Sequence, residues 1–114
     1  MCRIFSEMPT ETYDQQTRSV RLGGHVTSIR LEAAFWRILE DIAAQQDVSF
    51  GRFLSKLHDE VLEFRGGAPN FASLLRCACL TYVGEVRSAP DAAAALAEDA
   101  HKSFAAPPRI AARA

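Results

Sequence analysis

Three arginines, Arg18, Arg21 and Arg30, fall in a stretch that holds no acid between Gln15 and Leu31. A guanidinium carries a permanent charge and a planar fork of donors, suited to binding an anionic or acceptor-rich partner. Hydroxyls at Ser19 and Ser28 lie among them. This chemistry is recognition, not bond-breaking. The sequence holds no catalytic triad, no metal-ligand spacing and no Gly-rich phosphate loop between a strand and a helix. We therefore expect no enzyme, no catalytic residues, no metal and no cofactor. His58-Asp59-Glu60 fall on a helical pattern, where neighbours point about 100° apart. They do not converge on one point, so they read as a solvated face.

The arginines need an element to present them. From Arg18 to Leu31, aliphatic and β-branched residues alternate with polar ones about Gly23-Gly24. Two glycines tolerate the positive φ of a two-residue hairpin turn. Such a turn sets Leu22 opposite His25, Val20 opposite Thr27 and Arg18 opposite Ile29. One face then carries Val20, Leu22, His25, Thr27, Ile29 and Leu31. The other carries Ser19, Arg21, Val26, Ser28 and Arg30. An isolated hairpin is marginal in water, so the ribbon needs helices behind it.

The rest of the chain supplies them. A first helix over Glu32 to Gln46 repeats Phe35, Ile38, Leu39, Ile42 and Ala43 along one stripe, with Trp36 at its margin and Glu32 complementing the dipole. Asp47 breaks it and Ser49 is a good N-cap for a second helix, Phe50 to Phe64. That helix is apolar over much of its girth, as expected for one packed within its subunit and on a partner. Arg65 to Pro69 is a loop. Asn70 then caps a third helix, Phe71 to Val83, in which Cys77 and Cys79 read as small core residues. Residues 1–17 read as a flexible N-terminal arm, 18–86 as the folded domain, and 87–114 as an Ala/Pro-rich tail. That tail holds a short helix over Pro90 to Lys102 and a disordered end after Pro107-Pro108.

The 114 residues suit one domain, and 48% hydrophobic content is enough for a core. The net charge of −1 gives no global nucleic-acid signal. The contrast is local: Glu32 to Arg65 holds seven acids against four bases. Three cysteines without framework spacing imply reduced thiols in a cytoplasmic protein. No long apolar run or leader-like start suggests secretion or a membrane span.

The order strand, helix, short turn, Ser-capped helix resembles the ribbon-helix-helix DNA-binding family of the Arc/MetJ type. More narrowly, Arg18-Ser19-Val20-Arg21-Leu22-Gly23-Gly24-His25-Val26-Thr27-Ser28-Ile29-Arg30-Leu31-Glu32-Ala33-Ala34-Phe35-Trp36 resembles a bacterial subgroup with an RSxRxxGHxTSxxLExxFW run. The resemblance implies a mostly α fold with a short β-ribbon, an added N-terminal hairpin strand and a further C-terminal helix, built as an obligate homodimer. It implies a transcriptional regulator whose ribbon enters the major groove of double-stranded DNA. By it, Val26, Ser28 and Arg30 contact bases, the same positions that periodicity turns outward. Arg30 suits guanine, and Val26 only a thymine methyl. Arg18, Ser19 and Arg21 would flank them. Ser49, Phe50, Gly51 and Arg52 would hold a backbone phosphate at a helix N-terminus. Ile29, Leu31, Phe35, Phe53 and Leu57 would form the dimer core. The alternative is a dimeric antitoxin- or adaptor-like module that binds a protein through the third helix or tail, with weak or no DNA binding.

Overall fold

A computed structural model describes residues 2–105. Two short helices, α1 (Cys2–Ser6) and α2 (Thr10–Tyr13), precede strands β1 (Gln15–Leu22) and β2 (His25–Glu32). Helices α3 (Ala33–Gln45), α4 (Phe50–Arg65) and α5 (Phe71–Thr81) follow. A π-helical turn over Tyr82–Val86 leads to α6 (Pro90–Ala105). The protein is thus mostly helical around a two-stranded antiparallel ribbon, with additional helix beyond α4.

The hairpin turns where the glycines are. Gly23 and Gly24 take φ of 58° and 85°, values that a side chain makes costly. The register pairs Leu22 with His25, Val20 with Thr27 and Arg18 with Ile29, as the alternation required. Strand β1 begins at Gln15, earlier than the Arg18 expected, and its first residues pair with Leu31 and Glu32. The stretch expected as a loose arm carries α1 and α2. It is tied down where Ala33 N–H donates to the Asp14 carbonyl at 2.8 Å.

Behind the ribbon lies the core. Leu22, Ile29 and Leu31 from the strands meet Leu39, Ile42 and Ala43 of α3, Phe53 and Leu54 of α4, and Leu75 and Cys79 of α5. Trp36 sits at the centre of this layer rather than at the stripe's margin, with no exposed surface. Its indole Nε1–H donates to the Gln16 carbonyl at 3.0 Å, which satisfies the buried donor and bolts α3 to β1. Truncating it to Ala would cost about 3–5 kcal/mol. The buried face of α3 is therefore rotated toward Trp36, and Phe35 and Ile38 are only half-buried.

The helix ends follow local chemistry. Asp47 takes φ 55° after α3. Ser49 caps α4, its Oγ accepting from the Arg52 N–H at 3.2 Å. Gly66 closes α4 in the left-handed conformation. Asn70 differs from the expected side-chain cap. It is itself left-handed, and only its backbone carbonyl bonds into α5. Glu32 is the residue before α3, and its carboxylate turns to α5 instead of to the helix start.

Cys79 is buried and its Sγ–H reaches the Phe35 carbonyl at 3.6 Å, while Cys77 is exposed. Only one of the two is a core residue, because positions two apart on a helix face nearly opposite ways. Beyond α5, Tyr82 Oη–H and the Arg87 guanidinium both donate to Asp41 Oδ2 at 3.1 Å, joining the π-helical turn to α3. The disordered end expected after Pro107-Pro108 lies outside the described residues.

Candidate nucleic-acid interface

The polar face of the ribbon is set by strand alternation alone. Val26, Ser28 and Arg30 on β2 and Ser19 and Arg21 on β1 are all exposed, on the side away from the helices. Val26 is 62% exposed, an aliphatic side chain with no intramolecular reason to face water. The same parity adds Gln15 and Thr17, which the sequence reading left out because it began the strand at Arg18. Arg21 is lightly held, its guanidinium donating to the Gly24 carbonyl at 3.3 Å.

Arg18 is the exception among the flanking residues expected to reach outward. It faces the helices. Its Cζ lies 4.8 Å from the Trp36 ring centroid and 6.0 Å from that of Phe50. Its Nη1 pairs with Glu40 Oε1 at 3.3 Å. The register had already placed it opposite Ile29, on the inward side. Arg18 is therefore a brace between β1, α3 and α4, separate from Ser19 and Arg21.

The free edge of β2 is partly closed. The two-residue turn makes Leu22–His25 a hydrogen-bonded pair, and the Ala33–Asp14 bond continues that phase. On β2 the backbone groups of Val26, Ser28, Arg30 and Glu32 therefore point away from β1. Arg76 of α5 meets two of these residues: its Nε–H donates to Glu32 Oε1 at 2.9 Å and its Nη2–H to the Arg30 carbonyl at 3.4 Å. That pairing, chiefly, holds the Glu32 carboxyl below its ordinary value, helped by Glu32's own backbone N–H. The strand from Thr27 to Leu31 is thus not a lone one, because β1 pairs it within the chain. The open part of its outer edge narrows to Val26 and Ser28. Sequence reasoning missed Arg76, which stands more than forty residues from its partners with no local motif to mark it.

At the start of α4, Ser49, Phe50, Gly51 and Arg52 follow one another along the chain. The Phe50 ring packs edge-on to Trp36 with centroids 6.0 Å apart, fixing the helix start beneath β1. Ser49 and Gly51 are exposed. The Arg52 side chain is engaged elsewhere: its Nη2–H donates to the Phe104 carbonyl at 3.0 Å, and its Cζ lies 5.2 Å from the Phe104 ring centroid.

The residues expected to form a dimer core all belong to this chain's own core or pack against it. Ile29, Leu31 and Phe53 are buried within it, and Phe35 and Leu57 are half-buried against it. His58 is not on a solvated face. It packs edge-on to Phe71 with centroids 5.0 Å apart, and its Nδ1 is buried. Among the described residues no group of three or more His, Cys, Asp or Glu could hold a metal, and no helix is long and apolar enough to cross a membrane.

Comparisons agree with this architecture. The family model described as "Ribbon-helix-helix domain" matches residues 15–83. The match starts at the first residue of β1, so it takes in the flanking strand. The solved structure of an uncharacterized protein from Bordetella pertussis Tohama I matches with a TM-score of 0.70 at 45% sequence identity. The likeness covers 72% of this chain and 66% of that one, just under two thirds of its length. No curated protein matches.

Proposed function

Because the chain belongs to the ribbon-helix-helix domain family, we propose that it is a cytoplasmic, homodimeric transcriptional regulator that binds duplex DNA. We place it in the subgroup marked by the Arg18-to-Trp36 run. The observation that carries the reading is the outward face of the ribbon. Arg21, Arg30, Ser19, Ser28 and Val26 stand exposed together, backed by a packed helical layer. The acid on that parity, Glu32, sits at its far end and is matched by Arg76.

The dimer forms at β2. Its open edge at Val26 and Ser28 adds a second copy's β2 antiparallel, giving a central two-stranded ribbon with a β1 strand on each side. A major groove about 12 Å wide admits the central pair. The β1 strands, about 4.8 Å further out, lie over the phosphate walls. Arg30, Ser28 and Val26 then read base edges, and Arg21 and Ser19 hold phosphates. Arg18 has no direct part. Ser49, Phe50 and Gly51 offer a helix N-terminus to a further phosphate, which Arg52 joins by exchanging the Phe104 carbonyl for it. No catalytic step is assigned.

The second reading, a protein-interaction module, has its support in Phe64 and Leu80, which are 79% and 66% exposed. Salt separates the two. A DNA binder that neutralises several phosphates loses affinity steeply as salt rises, with slope about −0.9 per phosphate in a log–log plot. Polarisation titration of a fluorescent duplex over a range of salt supports DNA binding if that slope is steep. A duplex that does not bind at low salt would overturn it.

A further inference from the structure

Helix α6 does not lie flush on the rest of the chain. Between it and helices α3 and α4 is a cavity of about 310 Å³. Ile42, Phe53 and Leu57 form one wall, and Leu96, Ala100 and Phe104 of α6 form the other. Ile42, Phe53 and Ala100 are buried, so the interior presents hydrocarbon. The volume is at the low end of the range for small-molecule sites, about 300–1,000 Å³. Glu60, Asp99 and Lys56 also line the cavity, and Glu60 and Asp99 are exposed. Glu60 also accepts from the Ser103 hydroxyl at 3.2 Å.

From this geometry we infer that the cavity beneath α6 is a binding site for a small, largely hydrocarbon ligand of about two to three rings, neutral or cationic in charge. The walls supply van der Waals contact and take apolar surface out of water. An anion would find no buried partner among the hydrocarbon walls and would have to give up its hydration there. The site stands independently of DNA binding, since nothing in its lining belongs to the ribbon. It bears on the proposed function through one residue. Phe104 lines the cavity, stacks on the Arg52 guanidinium and gives Arg52 its carbonyl. A ligand touching Phe104 therefore acts on the residue that restrains Arg52 at the start of α4.

The test uses two fluorescent probes that share a ring system, with the full-length protein and no DNA. N-phenyl-1-naphthylamine is neutral, and 8-anilinonaphthalene-1-sulfonate is its anionic counterpart. The neutral probe is expected to saturate at one per protomer, and the anion to bind at least about tenfold more weakly. Leu96→Trp and Ala100→Phe, which fill the cavity, are expected to abolish saturable binding. Leu80→Ser, on an exposed part of α5, is expected to leave it unchanged. Methyl NMR of the parent protein supplies a readout that needs no variant: shifts on adding the neutral probe should concentrate at Ile42, Leu57 and Leu96. The inference is overturned by absence of saturable binding or by equal affinity for the anion. Unchanged binding in folded cavity-filling variants, or methyl shifts located elsewhere, would overturn it equally. A failure of DNA binding leaves all these readouts intact.

Discussion

The Arg18 guanidinium lies against the buried face of the ribbon, its Cζ 4.8 Å from the centroid of the Trp36 ring. Arg30, on the neighbouring strand, points to the opposite side and is exposed. Two strand arginines therefore have separable duties. Arg18→Ala removes a cation–π contact worth about 0.5–1 kcal/mol at a partly exposed site. It should lower the melting temperature by about 2–8 °C while leaving sequence preference for DNA in place. Arg30→Ala should do the reverse. Thermal unfolding of both variants, beside a DNA titration, checks the division.

Ile29 is only 7% exposed, on the inner face of the ribbon within the core cluster. Ile29→Asp places an unpaired carboxylate there, and its desolvation is expected to exceed what a marginally stable domain can absorb. Loss of far-UV helical signal at room temperature is the expected outcome. A variant that keeps the parent's circular dichroism and hydrodynamic size would contradict the packing described for β2.

The Glu32–Arg76 pair makes stability depend on acid. The Arg76 hydrogen bond lowers the Glu32 carboxyl below 4.5, its ordinary value. A carboxyl lowered in the folded state binds fewer protons there than in the unfolded state. Its stabilising contribution is present above pH 4.5, and is lost as pH falls below that toward the lowered value. The pair is largely solvent-screened, so the effect is small. Glu32→Gln should flatten the stability profile below pH 4.5 relative to the parent in urea titrations, and leave the two parallel near neutral pH. Identical acid limbs would show that the pair is not formed in solution.

The thiols should differ in reactivity. Burial pushes Cys79 up to about 11, and its Sγ lies against the Phe35 carbonyl, whereas Cys2 and Cys77 are exposed. Iodoacetamide at about pH 8 should label Cys2 and Cys77 rapidly and Cys79 only on unfolding. Peptide mass spectrometry over a time course reads this directly. Early labelling of Cys79 would place α5 out of its position on the core.

Much of this was legible in the sequence, for identifiable reasons. A period of two about a Gly-Gly pair fixes a hairpin's turn, register and faces together, and the observed pairs are those the alternation implied. The Ser49 cap and the left-handed Asp47 are likewise local. What was not legible depends on long-range contact. Trp36 became the centre of the core because Gln16 and Phe50 converge on it from other elements. Arg18 is a different case: the alternation that exposes Ser19 turns Arg18 to the helices, so its inward side was legible, and only its partners Trp36, Phe50 and Glu40 were not. Arg76 at the edge of β2, Phe104 against Arg52 and the buried Nδ1 of His58 arise where α5 and α6 fold back. No spacing rule reports such meetings.

The proposed function rests on the outward face of the ribbon reading DNA. The most direct measurement selects duplexes from a random pool with the parent protein. It then compares parent and Arg30→Ala on the selected duplex and on a scrambled one, by polarisation at fixed salt. The parent should prefer the selected duplex. In Arg30→Ala that preference should fall by about 1–3 kcal/mol, roughly five- to 150-fold, with its fold and oligomeric state unchanged. A variant that discriminates between the two duplexes as well as the parent would contradict the assignment of Arg30 and, with it, the ribbon as the reading surface.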